Sequence, residues 1–106
     1  LDAEQFREVF RKTPLERPGR AGVLRTACIV LGNVGGTQHL PALVERLNDD
    51  EPLVRGAAAW AIAQLGGDGE RAELQSWLQT EDNESVQQEI HDALSQLETK
   101  LDADSD

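Results

Sequence analysis

A helix-length pattern that recurs every 31 or 32 residues is the feature that most constrains the fold of this chain. Val34-Gly35-Gly36 recurs as Leu65-Gly66-Gly67 after 31 residues, and Val54 recurs as Val86 after 32. Further pairs with this spacing are Leu43 with Leu74, Leu47 with Leu78, Ile62 with Leu94, and Leu65 with Leu97. Two helices per period, each unable to bury its apolar face alone, indicate an all-α solenoid of stacked helix pairs.

The stretch 53–67 is the clearest helix of the pattern. At 100° per residue, one narrow, alanine-rich core face is predicted on Val54, Ala58, Ala61, Ile62 and Leu65. The residues expected to point away from this face are Arg55, Gly56, Ala59 and Trp60. Gly66-Gly67 ends the helix, and we expect a positive φ there.

Apolar spacing and turn residues predict six helices, which make three pairs. Their predicted ranges are 2–12, 20–36, 38–47, 53–67, 69–80 and 85–101. Asp49 and Asp50 are expected to cap the fourth helix, whose Pro52 suits an early helical position. We expect one domain over residues 1–101 and an acidic, frayed tail over 102–106. Because the chain starts with Leu1 and has no Met, we also expect it to be a fragment of a larger protein.

The charges are unevenly distributed along the chain, whose formal net charge is −10. Residues 1–36 hold six basic and four acidic groups, whereas residues 37–106 hold four basic and sixteen acidic groups. An acidic surface repels phosphate only over a Debye length of about 8–10 Å, so the basic end remains able to meet a nucleic acid. The alternative is that the acidic residues only solvate the outer helices.

The cysteine content and the lack of a long apolar run are both compatible with a cytoplasmic chain. Cys28 is the single cysteine, which excludes an internal disulfide and is compatible with a reducing cytoplasm. It lies among apolar residues and is predicted to pack in the core. No apolar run approaches 18 residues and there is no signal-peptide pattern. We therefore expect a cytoplasmic chain with no membrane partner.

Arginines near the start of the second helix are the candidate phosphate ligands, because a guanidinium can hold phosphate with two parallel hydrogen bonds. The first choices are Arg17, Arg20 and Arg25, and the second choices are Lys12 and Arg11. For Arg25, a salt bridge to an acid of the next repeat is an equally good interpretation.

One residue of the central helix also has two interpretations. Trp60 is expected either to pack on an adjoining repeat, which is the favoured interpretation, or to offer a plane on which a base can stack.

Catalytic and metal-binding constellations are missing from the sequence. The serines have no His and acid at a suggestive spacing, and His39 and His91 lie on different predicted helices. Each His is expected at the surface or half-buried. We predict no catalytic, cofactor-binding or metal-binding residue, and a chain that is not an enzyme by itself.

The ordered motifs of the chain resemble a known family. The pattern from Val54-Arg55 through Ala58-Ala59 to Leu65-Gly66 resembles HEAT-like repeats in general. This resemblance implies that Arg55 tethers neighbouring loops rather than binding RNA. A more specific resemblance, over roughly residues 6–67, is to the carboxyl-terminal HEAT-like segment of epoxyqueuosine reductases. The residues that carry it are Phe6, Phe10, Thr13-Pro14, Arg17, Arg20, Leu24-Arg25, Leu31-Gly32-Asn33, Leu53-Val54-Arg55-Gly56 and Ala58-Ala59-Trp60-Ala61.

This resemblance implies a right-handed superhelix of about three HEAT-like helix pairs, and a function. The family is a bacterial cytoplasmic oxidoreductase that reduces epoxyqueuosine to queuosine in tRNA, with cobalamin and two iron-sulfur clusters held by a preceding catalytic region. The solitary Cys28 matches none of the cluster motifs, so no cofactor site is expected in this chain. The resemblance implies a module that helps to hold tRNA, beside the parent catalytic domain. The alternative is a protein-protein interaction scaffold whose acidic face binds a basic partner.

Overall fold

The computed structural model describes Glu8 and residues 19–104, apart from the side chains of Arg20 and of residues 101–104. The described residues form five α-helices: α1 (Arg20–Val34), α2 (Leu40–Arg46), α3 (Pro52–Leu65), α4 (Asp68–Leu78) and α5 (Glu84–Asp104). A 3-10 turn at Thr37–His39 leads into α2. All regular structure in residues 19–104 is helical, which confirms the all-α prediction.

The helix ends follow the prediction to within a few residues. The predicted helix 2–12 lies outside the described residues except for Glu8, which is helical. Proline occupies an early position of both α2 and α3, where its missing N–H has no partner to lose. α5 continues to Asp104, three residues beyond its predicted end. None of the helices in the described ranges combines the length and the apolar composition that a membrane span needs.

Glycine follows α1 and α3 because these positions have no room for a Cβ atom, and not because φ is positive. The prediction of a positive φ at the end of α3 was therefore wrong. Gly66 has a φ of −88°, and among the described glycines a positive φ occurs at Gly19. A Cβ on Gly66 would lie 2.8 Å from the carbonyl oxygen of Ile62, which accepts a hydrogen bond from the Gly66 N–H at 2.7 Å. A Cβ on Gly35 would likewise lie 2.5 Å from the carbonyl oxygen of Leu31. Glycine therefore allows each chain to leave its helix tightly.

The helices form two layers, with α3 at the centre. α1, α3 and α5 lie side by side, α2 packs against α3, and α4 packs against α5. Because α3 has neighbours on several sides, Gly56 and Ala59 are buried as well as most of the predicted core face, of which Leu65 is only half-buried. The prediction of one narrow face on this helix was therefore wrong.

The 32-residue period is visible in the loops that precede α3 and α5. The Asp49 carboxylate accepts a hydrogen bond from the N–H of Glu51 at 3.0 Å, and the Glu81 carboxylate accepts one from the N–H of Asn83 at 3.1 Å. Arg55 donates to the carbonyl oxygen of Asp49, just as Gln87 does to that of Glu81. Asp49 thus has the predicted structural role, as a turn residue.

The capping role predicted for Asp49 and Asp50 was not correct. The residue at the start of α3 is Glu51, and no side chain caps that helix. In the second loop, the side chain of Asn83 accepts a hydrogen bond from the N–H of Val86 at 3.1 Å, so α5 is capped by a side chain.

Candidate nucleic-acid interface

A groove of about 550 Å³ lies on one face of the layer formed by α1, α3 and α5. Arg25 and Ile29 of α1 form one wall, Leu53 and Trp60 lie on α3, and Glu89 belongs to the α5 wall. No residue of α2 or α4 lines the groove, so it lies on the face of the layer that is turned away from them. We call this feature the α3 groove.

Small residues set the close helix spacing around the α3 groove. A Cβ on Gly32 of α1 would overlap the ring of Trp60 and would lie 3.1 Å from the Cα of Ala61. A Cβ on Gly56 would lie 3.4 Å from the Cγ of Glu89. Trp60 is half-buried with its ring on α1, which confirms packing on the adjoining repeat. Trp60 also lines the groove, and the stacking of a base on its ring remains a prediction.

The two walls of the α3 groove carry opposite charges. Arg25 on α1 and Glu89 on α5 are both exposed. Neither side chain forms an ion pair or a hydrogen bond within the described ranges. The interpretation of Arg25 as an inter-repeat salt bridge was therefore wrong: within the described ranges the side chain pairs with no acid of the next repeat. Its guanidinium remains available for a ligand.

Most of the predicted phosphate ligands have side chains outside the part of the chain that the structure describes. Arg11, Lys12 and Arg17 fall outside the described residues, and so does the side chain of Arg20. The backbone of Arg20 begins α1, five residues before Arg25. Arg25 is therefore the candidate that the structure places at the groove, and the other four remain predictions.

Arg55 tethers two loops, as predicted, and is not available to RNA. Its Nε and Nη2 donate to the two carboxylate oxygens of Glu81 at 2.8 and 2.9 Å, and its Nη1 donates to the carbonyl oxygens of Asp49 and Asp50 at 2.8 and 3.3 Å. The Trp77 indole also donates to Glu81, at 3.2 Å. This contact joins the loop before α3 to the loop before α5.

The Arg55–Glu81 contact changes the pKa of both groups. Burial of Glu81 opposes its ionisation, but hydrogen bonds from Arg55, the Asn83 backbone and Trp77, with the charge of Arg55, lower its pKa below 4.5. The hydrogen bond to Glu81 raises the pKa of Arg55. Both groups are therefore charged across the neutral range, and the tether is intact there.

Cys28 is a core residue, as predicted. It is fully buried, and burial raises the pKa of its thiol to about 12; the charge of Arg46 lowers this pKa and the charge of Asp49 raises it, both by smaller amounts. An iron-sulfur cluster takes several thiolate ligands. One buried thiol does not fit such a group, and no three His, Cys, Asp or Glu side chains in the described ranges converge as metal ligands would.

The histidines differ from each other in burial. His91 is exposed, which agrees with the prediction. His39 is only 1% exposed, so its predicted position at or near the surface was wrong. The 3-10 turn places its ring against Gly35, where a Cβ would lie 3.0 Å from the His39 Cδ2.

Sequence reasoning missed Leu53, Ser85 and Glu89 as groove residues. Two signals were available, because glycine inside a helix often marks a close approach of another element. Gly32 and Gly56 are such positions, and they adjoin Trp60 and Glu89.

Comparison with known proteins identifies similar sequences. The family model described as HEAT repeats matches residues 15–95. An uncharacterized protein in the gldA 3′ region of Geobacillus stearothermophilus is 32% identical over 98 residues, which is 92% of this chain and 45% of that protein. The epoxyqueuosine reductase of Bacillus subtilis is 30% identical over 98 residues, which is 92% of this chain and 25% of the enzyme. That of Xanthomonas campestris is 38% identical over 66 residues, 61% of this chain and 19% of the enzyme.

These relatives confirm the resemblance found in the sequence. The chain spans less than half of the first relative and about a quarter of the Bacillus subtilis enzyme. No solved structure was found to match the chain.

Proposed function

We infer the function of this chain from one premise, that it belongs to the HEAT-repeat family. We propose that it is the non-catalytic HEAT module of a tRNA-modifying enzyme similar to epoxyqueuosine reductase, and that it helps to hold the tRNA substrate. The parent protein would then be a cytoplasmic oxidoreductase whose cobalamin and iron-sulfur clusters are bound outside this chain. The similarity to enzymes of that name supports the proposal.

The observation that carries the proposal is the exposed guanidinium of Arg25 on a wall of the α3 groove. A guanidinium without an internal partner can form two parallel hydrogen bonds with a phosphate. The acidic residues are concentrated after residue 36, so Arg25 belongs to the part of the sequence where basic residues are in excess. Contacts of this kind position a nucleic acid without reading its bases.

Replacing the three arginines together tests this function. We expect the Arg17→Ala, Arg20→Ala, Arg25→Ala protein to bind tRNA at least about tenfold more weakly than the wild-type chain, because each lost phosphate contact removes a charge-assisted hydrogen bond. Fluorescence anisotropy of labelled tRNA at low salt measures the affinity.

Arg71→Ala is the matched control for that experiment. Arg71 lies on α4, away from the groove, and contacts Asp68 at 3.9 Å and Glu98 at 3.6 Å. Its replacement therefore removes one positive charge elsewhere on the surface, as each of the three replacements does at the proposed site. We expect its affinity to stay within about twofold of the wild type. Equal affinities of the triple variant and the Arg71 variant would refute the proposed function.

A row of exposed valines supports a second partner, the catalytic region of the parent protein. Val23, Val30 and Val34 are 52%, 41% and 77% exposed, and their spacing of seven and four residues puts them on one face of α1. Exposed apolar rows of this kind mark contact surfaces. If the chain binds no tRNA but forms a saturable complex with that catalytic region, the function is that of a protein-protein interaction scaffold.

A further inference from the structure

The α3 groove has the size and composition of a site for a small organic group. Its volume of about 550 Å³ is comparable to that of ligand pockets, which span about 300–1,000 Å³. Ile29, Leu53 and Trp60 are among its apolar lining residues, and the polar ones are Arg25, Asn83, Ser85 and Glu89. Such sites bind a flat, mostly apolar group and orient it through a small number of hydrogen bonds.

The polar groups of the α3 groove differ from wall to wall. Arg25 on the α1 wall is a cation with five N–H donors, and Glu89 on the α5 wall is an anion that accepts hydrogen bonds. A ligand that spans the groove should therefore present an anion at one end and N–H donors at the other. A nucleotide whose base is unstacked has this form, with a phosphate, a flat ring and, in most bases, an exocyclic amino group.

We propose that the α3 groove binds one unstacked nucleotide of the RNA, with its base against the Trp60 ring, its phosphate at Arg25 and an amino group of the base donating to Glu89. This rests on the proposed function and adds base recognition to a module that otherwise contacts only phosphates. A base with an exocyclic amino group is preferred, so cytosine should bind more tightly than uracil, which has the same size and carries a carbonyl oxygen at that position.

Tryptophan fluorescence tests the position of the base, because the chain has two tryptophans. In the Trp77→Phe protein Trp60 is the remaining indole, and we expect a ten-nucleotide oligocytidine to quench its emission. In the Trp60→Phe protein Trp77 remains, and we expect no quenching and an affinity about threefold lower, because stacking on the smaller ring is weaker.

The Glu89→Gln variant tests the choice of base. We expect the wild-type chain to bind oligocytidine about threefold to tenfold more tightly than oligouridine, and Glu89→Gln to abolish this ratio, since an amide can donate to the uracil carbonyl. Because Glu89 is exposed, this variant should fold normally. Glu84→Gln is the control: Glu84 is an exposed acid of the same helix that does not line the groove, and the ratio should persist.

The outcomes separate this site from the proposed function. If tRNA binds through the arginines but Trp60 is not quenched, or if Glu89→Gln leaves the base ratio unchanged, the nucleotide site is wrong and the tRNA-holding function stands. Quenching by a lysine- and leucine-rich decapeptide but not by either oligonucleotide would show that the groove binds peptide and would overturn the site. Failure of tRNA and both oligonucleotides to bind would overturn both proposals.

Discussion

Replacing Arg55 with alanine is expected to lower the free energy of unfolding by about 3–5 kcal/mol. The substitution leaves the Glu81 carboxylate, whose side chain is 2% exposed, without its cation, and it removes the donor to the carbonyl oxygens of Asp49 and Asp50. Domains of this size are stable by about 5–15 kcal/mol, so the variant should be close to unfolding at physiological temperature. Urea denaturation followed by circular dichroism measures the loss.

Two further variants show whether the loss of stability comes from the pair of hydrogen bonds between Arg55 and Glu81. Arg55→Lys keeps the charge but not the two parallel hydrogen bonds, so we expect an intermediate loss. Arg71→Ala removes a partly exposed pair and should cost less than about 1 kcal/mol. If Arg55→Ala is no more destabilising than Arg71→Ala, the tether between the two loops contributes little to the fold.

The same contact gives the stability a predictable response to acid. The pKa of Glu81 is lower in the folded chain than its ordinary value of 4.5. The contribution of the ionised Glu81 to the free energy of unfolding is therefore complete above pH 4.5 and is lost as the pH falls through the pKa of the folded chain. The decrease in stability between about pH 5 and pH 3 should be smaller in Glu81→Gln, which cannot titrate at this position.

Replacing Ile62 with alanine is expected to lower the free energy of unfolding by about 2–5 kcal/mol. Ile62 is fully buried on α3, the helix that packs against α1, α2 and α5. Because neighbours on several sides hold the surrounding side chains in place, the cavity cannot collapse easily. Urea denaturation, with Ile62→Val as a smaller truncation, measures the loss.

Leu94 provides the matched control, since it occupies the position of Ile62 in the next repeat, 32 residues later. It is only partly buried on α5. We expect Leu94→Ala to cost about half as much as Ile62→Ala, because less apolar surface is removed from contact. Equal losses at the two positions would contradict the central place of α3 in the stack.

The fold was largely predictable because the period of the apolar residues encodes it. The helix ends at Gly35 and Gly66 follow from local patterns, and the loop role of Arg55 follows from the resemblance to HEAT-like repeats. The burial of Gly56 and Ala59 did not follow, since periodicity identifies the strongest apolar face and not the number of neighbouring helices. His39 was misplaced for a similar reason: its burial depends on a 3-10 turn that the surrounding residues do not signal.

The candidate site was predictable only in part. Arg25 was found because the charge distribution points to the amino-terminal third of the chain. Leu53 and Glu89 were missed because the α3 groove is formed by three helices that are far apart in sequence. A pattern along one helix cannot show what a second helix places opposite it, and the interior glycines were the available indication of such contacts.

The salt dependence of tRNA affinity tests the central claim, that this HEAT module holds tRNA through phosphate contacts. If Arg17, Arg20 and Arg25 each neutralise one phosphate, the logarithm of the association constant should fall with the logarithm of salt concentration with a slope of about −2 to −3. In the triple alanine variant the slope should be less negative by about 2 to 3. An affinity that does not change with salt, or the same slope in both proteins, would contradict the claim.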